Sequence, residues 1–306
     1  MEKRVTQRIK TISEFHRLRG LPKPENPLIS VVDFSKLQRP LNIHETSWVL
    51  DFYQISIKRG MNFKMKYGQQ DYDFDEGVMF FLAPNQVFSI EHTADSPIKQ
   101  SGYMLLLHPD FFWNTSLAKS ISQYEFFDYT VNEALFLSEK EEIILNGIIA
   151  NIEQEYHANI DKFSQNIIIS HIETLLNYAE RFYERQFITR KISNHVILSR
   201  LEDVLKNYFR KDDLITKGLP SVQFVADELN LSPNYLSRLL KTLTGQSTQQ
   251  FIHDKLIEKA KEKLSTTSLT ISEIAYQLGF EHPQSFNKLF KSKTQYSPLA
   301  FRQTFN

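Results

Sequence analysis

Two stretches decide the reading: FVADELNLS at residues 224–232, and EIAYQLGFE at residues 273–281. Laid one over the other, Ala226 falls on Ala275, Leu229 on Leu278 and Leu231 on Phe280, each pair 49 residues apart. Further on the separation becomes 50: Pro233 matches Pro283, Leu236 Phe286, Arg238 Lys288, Leu240 Phe290, Lys241 Lys291, Thr244 Thr294 and Ser247 Ser297. One residue added between otherwise matched blocks means two helices joined by a tight turn, occurring twice. A small alanine lets the second helix of each unit approach the first, and the apolar residue before the turn fills the shared core. Asn230 and Gly279 occupy the position that takes a positive φ. Pro233 and Pro283 suit a first helical turn, where a missing N–H costs nothing, and Ser232 suits an N-cap.

On the second helix of each unit, Leu236, Leu239 and Leu240, or Phe286, Leu289 and Phe290, are expected to face inward. The opposite faces then carry Asn234, Ser237, Arg238 and Lys241, or Gln284, Asn287, Lys288 and Lys291. Amides and cations on an exposed helix face read base edges and phosphates in DNA, and they also serve as the solvated face of a structural hairpin. One unit leaves the second reading ahead; two units with matching faces reverse the order. Between them, residues 246–264 have the apolar spacing of one continuous helix, with Phe251, Ile252, Ile257, Ala260 and Leu264. Such a helix is about 28 Å long, near the ~34 Å between successive major grooves on one face of B-DNA.

Residues from about 193 to 302 resemble the DNA-binding domain of the AraC/XylS family of bacterial transcription regulators. The residues that carry the likeness are Ala226, Leu229, Ser232, Tyr235-Leu236-Ser237-Arg238, Lys241, Thr244-Gly245 and Ser247 in the first unit. In the second they are Ile274-Ala275, Leu278-Gly279-Phe280, Phe286, Lys288, Phe290-Lys291, Ser297-Pro298 and Phe301-Arg302. The resemblance implies that Asn234, Ser237 and Arg238 read one major groove and Gln284, Asn287 and Lys288 the next. Ser232, Lys241, Ser247 and Lys291 would contact the DNA backbone. Three positions depart from the family pattern. Lys288 stands where an arginine is usual and cannot make a planar bidentate contact to guanine. Gln295 replaces the glycine before the closing Ser-Pro, and Leu256 occupies a usual arginine position.

The rest of the chain has a different period. Residues 28–108 alternate in short apolar runs, with turn chemistry at Lys58-Arg59-Gly60, Lys66-Tyr67-Gly68, Glu76-Gly77 and Ala83-Pro84-Asn85, which predicts a small barrel or sandwich. The first 27 residues, with Pro22, Pro24 and Pro27, read as an arm and an extended connector. Ser138 and Glu141 form a capping box ahead of the stripe Leu145, Ile148, Ile149, Ile152 and Tyr156. A second helix from about Asp161 carries the narrow seam Ile168, Ile172, Leu175, Ala179 and Phe182. The seam fits either helices covering the open side of the barrel or a homodimer interface, the latter being the assignment adopted. The expected fold is therefore α+β. A cupin-like effector-binding and dimerisation β-barrel with helices occupies 1–185, a polar linker 186–192, and an all-α domain of two helix-turn-helix units 193–306. Apolar and aromatic strand residues, Phe52, Tyr53, Phe63, Phe80 and Phe88, are the candidates to line an effector pocket, and they serve equally to fill a barrel without one.

Composition narrows the function classes. The 306 residues carry 36 basic and 36 acidic side chains, but residues 195–306 hold 15 basic against 11 acidic and residues 1–194 hold 21 against 25. A polyanionic partner is plausible for the C-terminal part alone. With no cysteine, thiolate nucleophiles and thiolate metal sites are excluded. No phosphate-loop or dinucleotide fingerprint occurs among nine glycines. The N-terminus has no apolar core of signal-peptide length, and the expectation is a cytoplasmic protein without a membrane partner. His44, His92 and His108 are isolated, so no cupin-type metal set is present; Asp71, Asp73 and Asp75 lack the glycine and glutamate of a calcium loop. No metal, cofactor or catalytic residue is expected, and no enzyme. The expected partners are double-stranded DNA, RNA polymerase, a small-molecule effector and a second copy of the chain. A protein–protein adaptor built on helical hairpins is the reading from another class.

Overall fold

The structure is a computed structural model that describes residues 5–37, 46–59, 65–67, 70–72, 77–88, 101–130, 133–159, 161–210 and 214–305. The chain divides into two compact units, Met1–Gln186 and Phe187–Asn306. In the first unit the strands are β1 (Val5–Ile9), β2 (Ile29–Asp33), β3 (Thr46–Leu50), β4 (Tyr53–Arg59), β5 (Met65–Tyr67), β6 (Gln70–Tyr72), β7 (Gly77–Leu82), β8 (Val87–Phe88), β9 (Ser101–Leu107) and β10 (Leu135–Leu137). Its helices are α1 (Ile12–Arg19), α2 (Leu117–Ser120), α3 (Glu139–Tyr156) and α4 (Ser164–Thr189). The second unit continues with α5 (Lys191–Arg210), α6 (Leu214–Lys217), α7 (Val222–Leu229), α8 (Pro233–Thr244), α9 (Thr248–Thr266), α10 (Ile271–Gln277), α11 (Pro283–Thr294) and α12 (Pro298–Gln303).

The strand pattern of residues 28–108 is present, but the described strands do not close into a barrel. They form a five-stranded sheet ordered β10-β7-β4-β9-β2, a three-stranded sheet ordered β1-β3-β8, and the β5-β6 pair. β2 and β10 stand at opposite edges of the large sheet, and the two-residue β8 and three-residue β10 are too short to bridge sheets. Period-two alternation splits each strand between two faces. Ile9, Trp48, Leu50 and Phe88 from the small sheet share one buried cluster with Val32, Leu82, Met104 and Leu106 from the large one. On the other face of β7, Phe81 packs against Phe126, Phe127 and Tyr183, the last on α4.

Two sequence expectations fail here. Residues 5–19 are no arm: β1 pairs in parallel with β3, from Val5↔Thr46 to Ile9↔Leu50, and α1 buries Ile12 and Phe15. Charged neighbours hide this short stripe, yet Thr11 caps α1 by accepting from the Glu14 N–H, and Gly20 ends it at φ 71. Lys58 and Arg59 are not a turn but the end of β4, in register with Gly102 and Ser101. The Asn85 turn and the Ser138–Glu141 capping box are as expected.

The seam also needs correction. Ile168, Ile172, Leu175, Ala179 and Phe182 are all buried in the single chain, three of them completely. The stripe is the inward face of α4, and a second copy has no access to it. Leu145, Ile148, Ile149, Ile152 and Tyr156 on α3 are buried likewise.

The segment expected as a polar linker is helical apart from Arg190. Gln186 is buried in the first unit, where its amide donates to the Ala134 carbonyl and accepts from the Phe136 N–H. The next residue, Phe187, is fully buried in the second unit and packs edge-on against Tyr235 with ring centroids 5.1 Å apart. Among the described residues no helix is long and apolar enough to cross a membrane.

Candidate nucleic-acid interface

The repeat seen in the sequence recurs in the turns of the structure. The turn after α7 is closed by Leu231 N–H donating to Ala226 O at 2.9 Å, and the turn after α10 by Phe280 N–H donating to Ala275 O at 3.1 Å. Asn230 and Gly279 take the expected positive φ, 57 and 84. Glycine is required only at the second: a Cβ on Gly279 would come within 2.9 Å of the Gly218 backbone. The far ends match as well. Gly245 donates to Lys241 O and Gln295 to Lys291 O, both at positive φ. The Thr244 and Thr294 hydroxyls each donate back four residues, and Ser247 and Ser297 cap the helices that follow.

These turns fix which faces of α8 and α11 are left over. α8 starts with Pro233 at its first turn and the Ser232 hydroxyl accepting from Tyr235 N–H at 3.2 Å. It buries Tyr235, Leu236, Leu239 and Leu240. α11 buries Phe286 and Phe290, which continue a ring stack from Phe280 to Phe301, while Leu289 is only part-buried. Burying a phenylalanine stabilises by roughly 1.5–3 kcal/mol, so this aromatic file sets the orientation of α11 firmly.

The side chains left on the opposite face of α11, Gln284, Asn287, Lys288 and Lys291, are all exposed. Lys293 is not part of that cationic face, because its ammonium pairs with Asp254 on α9 at 2.6 Å. Burial, and then the charge of Lys293, lowers the pKa of neighbouring His253. Arg302 donates from Nε to the Leu264 carbonyl at the end of α9.

On α8 the matching side chains are less open. Asn234, Ser237 and Arg238 are half-buried, and Lys241 is exposed with its ammonium 3.1 Å from the Gly245 carbonyl. The Ser237 hydroxyl lies 3.1 Å from that of Thr248. Ser232 is buried and its hydroxyl serves the cap, while Ser247 is exposed and caps α9 through a capping box with Gln250. The connecting rod is α9, 19 residues, with Ile252, Leu256, Ile257, Ala260 and Leu264 buried.

Residues 225–304 match the family model described as a helix-turn-helix domain. Over these residues the chain is similar to the helix-turn-helix domains of AraC-type regulators. An uncharacterised HTH-type transcriptional regulator of Bacillus subtilis (strain 168), YfiF, is 30 % identical over 146 residues, 48 % of this chain and 43 % of that protein. This chain thus spans less than half the length of that relative. The HTH-type transcriptional activator RhaS of Escherichia coli O81 (strain ED1a) is 23 % identical over 254 residues, covering 83 % of this chain and 86 % of its own. The C-terminal domain of AraT, a response regulator from Geobacillus stearothermophilus, is 33 % identical over 35 % of this chain and 84 % of that one, with a TM-score of 0.31.

Among the described residues, the aromatic candidates in the first unit are not gathered into one pocket. Phe52 and Phe88 belong to the buried cluster between the sheets. Tyr53 packs on Phe112 and Phe127, and burial followed by the charge of Asp128 raises its pKa. Phe80 lies beneath the ammonium of Lys58, and Phe63 is outside the described residues. Lys58 itself escaped the sequence reading, since a Lys-Arg-Gly run looks like a turn. Strict alternation along β4 is the signal that would have placed its side chain on the same face as Gln54 and Ser56.

Proposed function

We propose that the chain is a DNA-binding transcription regulator, with α8 and α11 as the two helices that enter successive major grooves and α9 as the rod between them. The observation that carries the reading is the duplicated helix-turn-helix, with matching turn hydrogen bonds and amides and cations on the same face of each second helix. Asn234, Ser237 and Arg238 would read bases in one half-site, and Gln284, Asn287 and Lys288 in the other. Lys241 and Lys291 would hold phosphates, joined by the exposed Ser247; at the buried Ser232 a phosphate contact would come from the helix N-terminus rather than the hydroxyl. The first unit, packed around its own core, would take a small-molecule effector and support a dimer through a surface other than the α4 seam. Resemblance to regulators adds RNA polymerase as a further partner.

The test is selection of a target from random DNA by the full chain, followed by footprinting. Arg238→Ala should lose roughly 1–3 kcal/mol of discrimination in one half-site and leave the other unchanged. Unaltered preference at every position would remove α8 from the groove.

A further inference from the structure

Asp254 stands on the second turn of α9, and each oxygen of its carboxylate is engaged by a different helix-turn-helix repeat. Oδ2 accepts from the Gln246 amide at 2.9 Å, and Gln246 lies in the turn that ends α8. Oδ1 pairs with the Lys293 ammonium at 2.6 Å, and Lys293 is the last but one residue of α11. One carboxylate thus joins the C-terminal ends of the two helices assigned to the grooves. The second repeat is tied at other places as well. Its turn lies so close to the Gly218 backbone that a Cβ on Gly279 would meet it at 2.9 Å. Arg302 on α12 donates to the Leu264 carbonyl, about 15 Å farther along α9 than Asp254.

These ties act at different points. Gly279 holds the entry to α11, and Arg302 holds the repeat to the far end of α9. The file Phe286, Phe290 and Phe301 orients α11 within its own repeat, whereas Asp254 relates its C-terminal end to α8. An ion pair near the surface adds little to stability, so the consequence of this one is geometric. Successive major grooves lie about 34 Å apart, one turn of about 10.5 base pairs. One inserted base pair therefore moves the second half-site by about 3.4 Å and turns it by about 35°. Two helices held at a common point reject that displacement, and a helix that swings about its entry accepts part of it. We infer that Asp254 is a positioning residue that sets the half-site spacing the protein accepts, by holding the ends of α8 and α11 to one point on α9. It acts through Gln246 and Lys293 and touches no DNA itself. The inference rests on the proposal that α8 and α11 enter successive grooves, and it names what fixes their separation.

The test titrates the full chain onto DNA carrying both selected half-sites, at the selected spacing and with one base pair inserted or deleted between them. The unaltered chain should favour the selected spacing. Asp254→Ala should keep the base preference of each half-site and reduce the advantage of the selected spacing about three- to fivefold, the scale of one ion pair near the surface. Lys293→Met breaks the same tie without releasing a cation toward phosphate, and it should act alike; it also serves if Asp254→Ala does not fold. A merely structural role would lower affinity for all three spacings together and leave their ratio untouched. An unchanged ratio in the folded variants, a ratio that falls in Asp254→Ala but not in Lys293→Met, or equal binding of all spacings by the unaltered chain would overturn the inference. A footprint over both half-sites with any of these results removes the inference alone. No footprint from the unaltered chain removes the groove proposal on which it rests.

Discussion

Lys58→Met should make the first unit more stable, which is the opposite of what most substitutions in a packed interior do. Methionine keeps an unbranched stem on β4 and removes the charge. In the folded chain burial, reinforced by the charge of Arg19, brings the Lys58 ammonium from an ordinary 10.5 down to about 8. At about 1.4 kcal/mol per pKa unit, holding that charge in place costs the fold roughly 3 kcal/mol. Contact of the ammonium with Phe34 returns about 0.5–1 kcal/mol, so the net gain expected for the variant at pH 7 is about 2–3 kcal/mol. The pH dependence has a definite sign. The folded value is the lower one, so between pH 8 and 10.5 the unfolded chain binds more protons and stability rises with pH. The penalty is complete below that window and gone above it. Both tryptophans, Trp48 and Trp113, lie in the first unit, so tryptophan fluorescence during urea unfolding follows that unit alone. The original chain should gain stability across the window, and Lys58→Met should lack that component. A destabilised variant, or parallel pH profiles, would mean that Lys58 is paired in the fold.

Leu175→Asp places a carboxylate at a completely buried position of α4. Loss of the leucine alone costs about 2–5 kcal/mol and the unpaired charge adds to it, so tryptophan fluorescence should report an unfolded first unit; a folded monomer would restore the dimer-seam reading. Gln295→Gly relieves a non-glycine residue at φ 66 after α11 and should stabilise the second unit by about 1 kcal/mol in calorimetry, whereas a lower melting temperature would contradict the strain. A fragment beginning at Phe187 should fold alone, and one beginning at residue 193 should be less stable by about 3–5 kcal/mol, because it lacks the ring packed on Tyr235; equal stability by circular dichroism would place the boundary later.

The C-terminal half of this fold was legible because its information is local and doubled. A one-residue insertion between Leu231 and Pro233, or their counterparts, marks a turn wherever it falls, and Ser247 and Ser297 announce helix starts without any tertiary knowledge. The first unit hid more. Whether strands close into a barrel depends on partners far apart in sequence, and the alternation of Ile55 and Ile57 is the same in a sandwich. A heptad-like stripe such as Ile168 to Phe182 reports only that one face of a helix is covered, not whether the cover is its own domain or another chain. Phe52, Tyr53 and Phe80 were chosen for being aromatic, and hydrophobic strand residues separate onto two faces of a sheet. The nearness of two cations, Lys58 and Arg19, was out of reach, since it arises from β4 meeting the end of a helix that the charged N-terminal sequence concealed.

The central claim, that two helix faces of one chain hold DNA together, is tested most directly by salt dependence. The full chain is titrated onto a selected DNA carrying both half-sites, at several salt concentrations, beside the double variant Lys241→Ala with Lys291→Ala. Each lost phosphate contact should reduce the slope of log affinity against log salt by about 0.9. The account therefore predicts a slope shallower by about 2 in the double variant, with weaker binding to every sequence and unchanged base preference. A slope that stays the same, or binding by the unaltered chain that does not depend on salt, would contradict it.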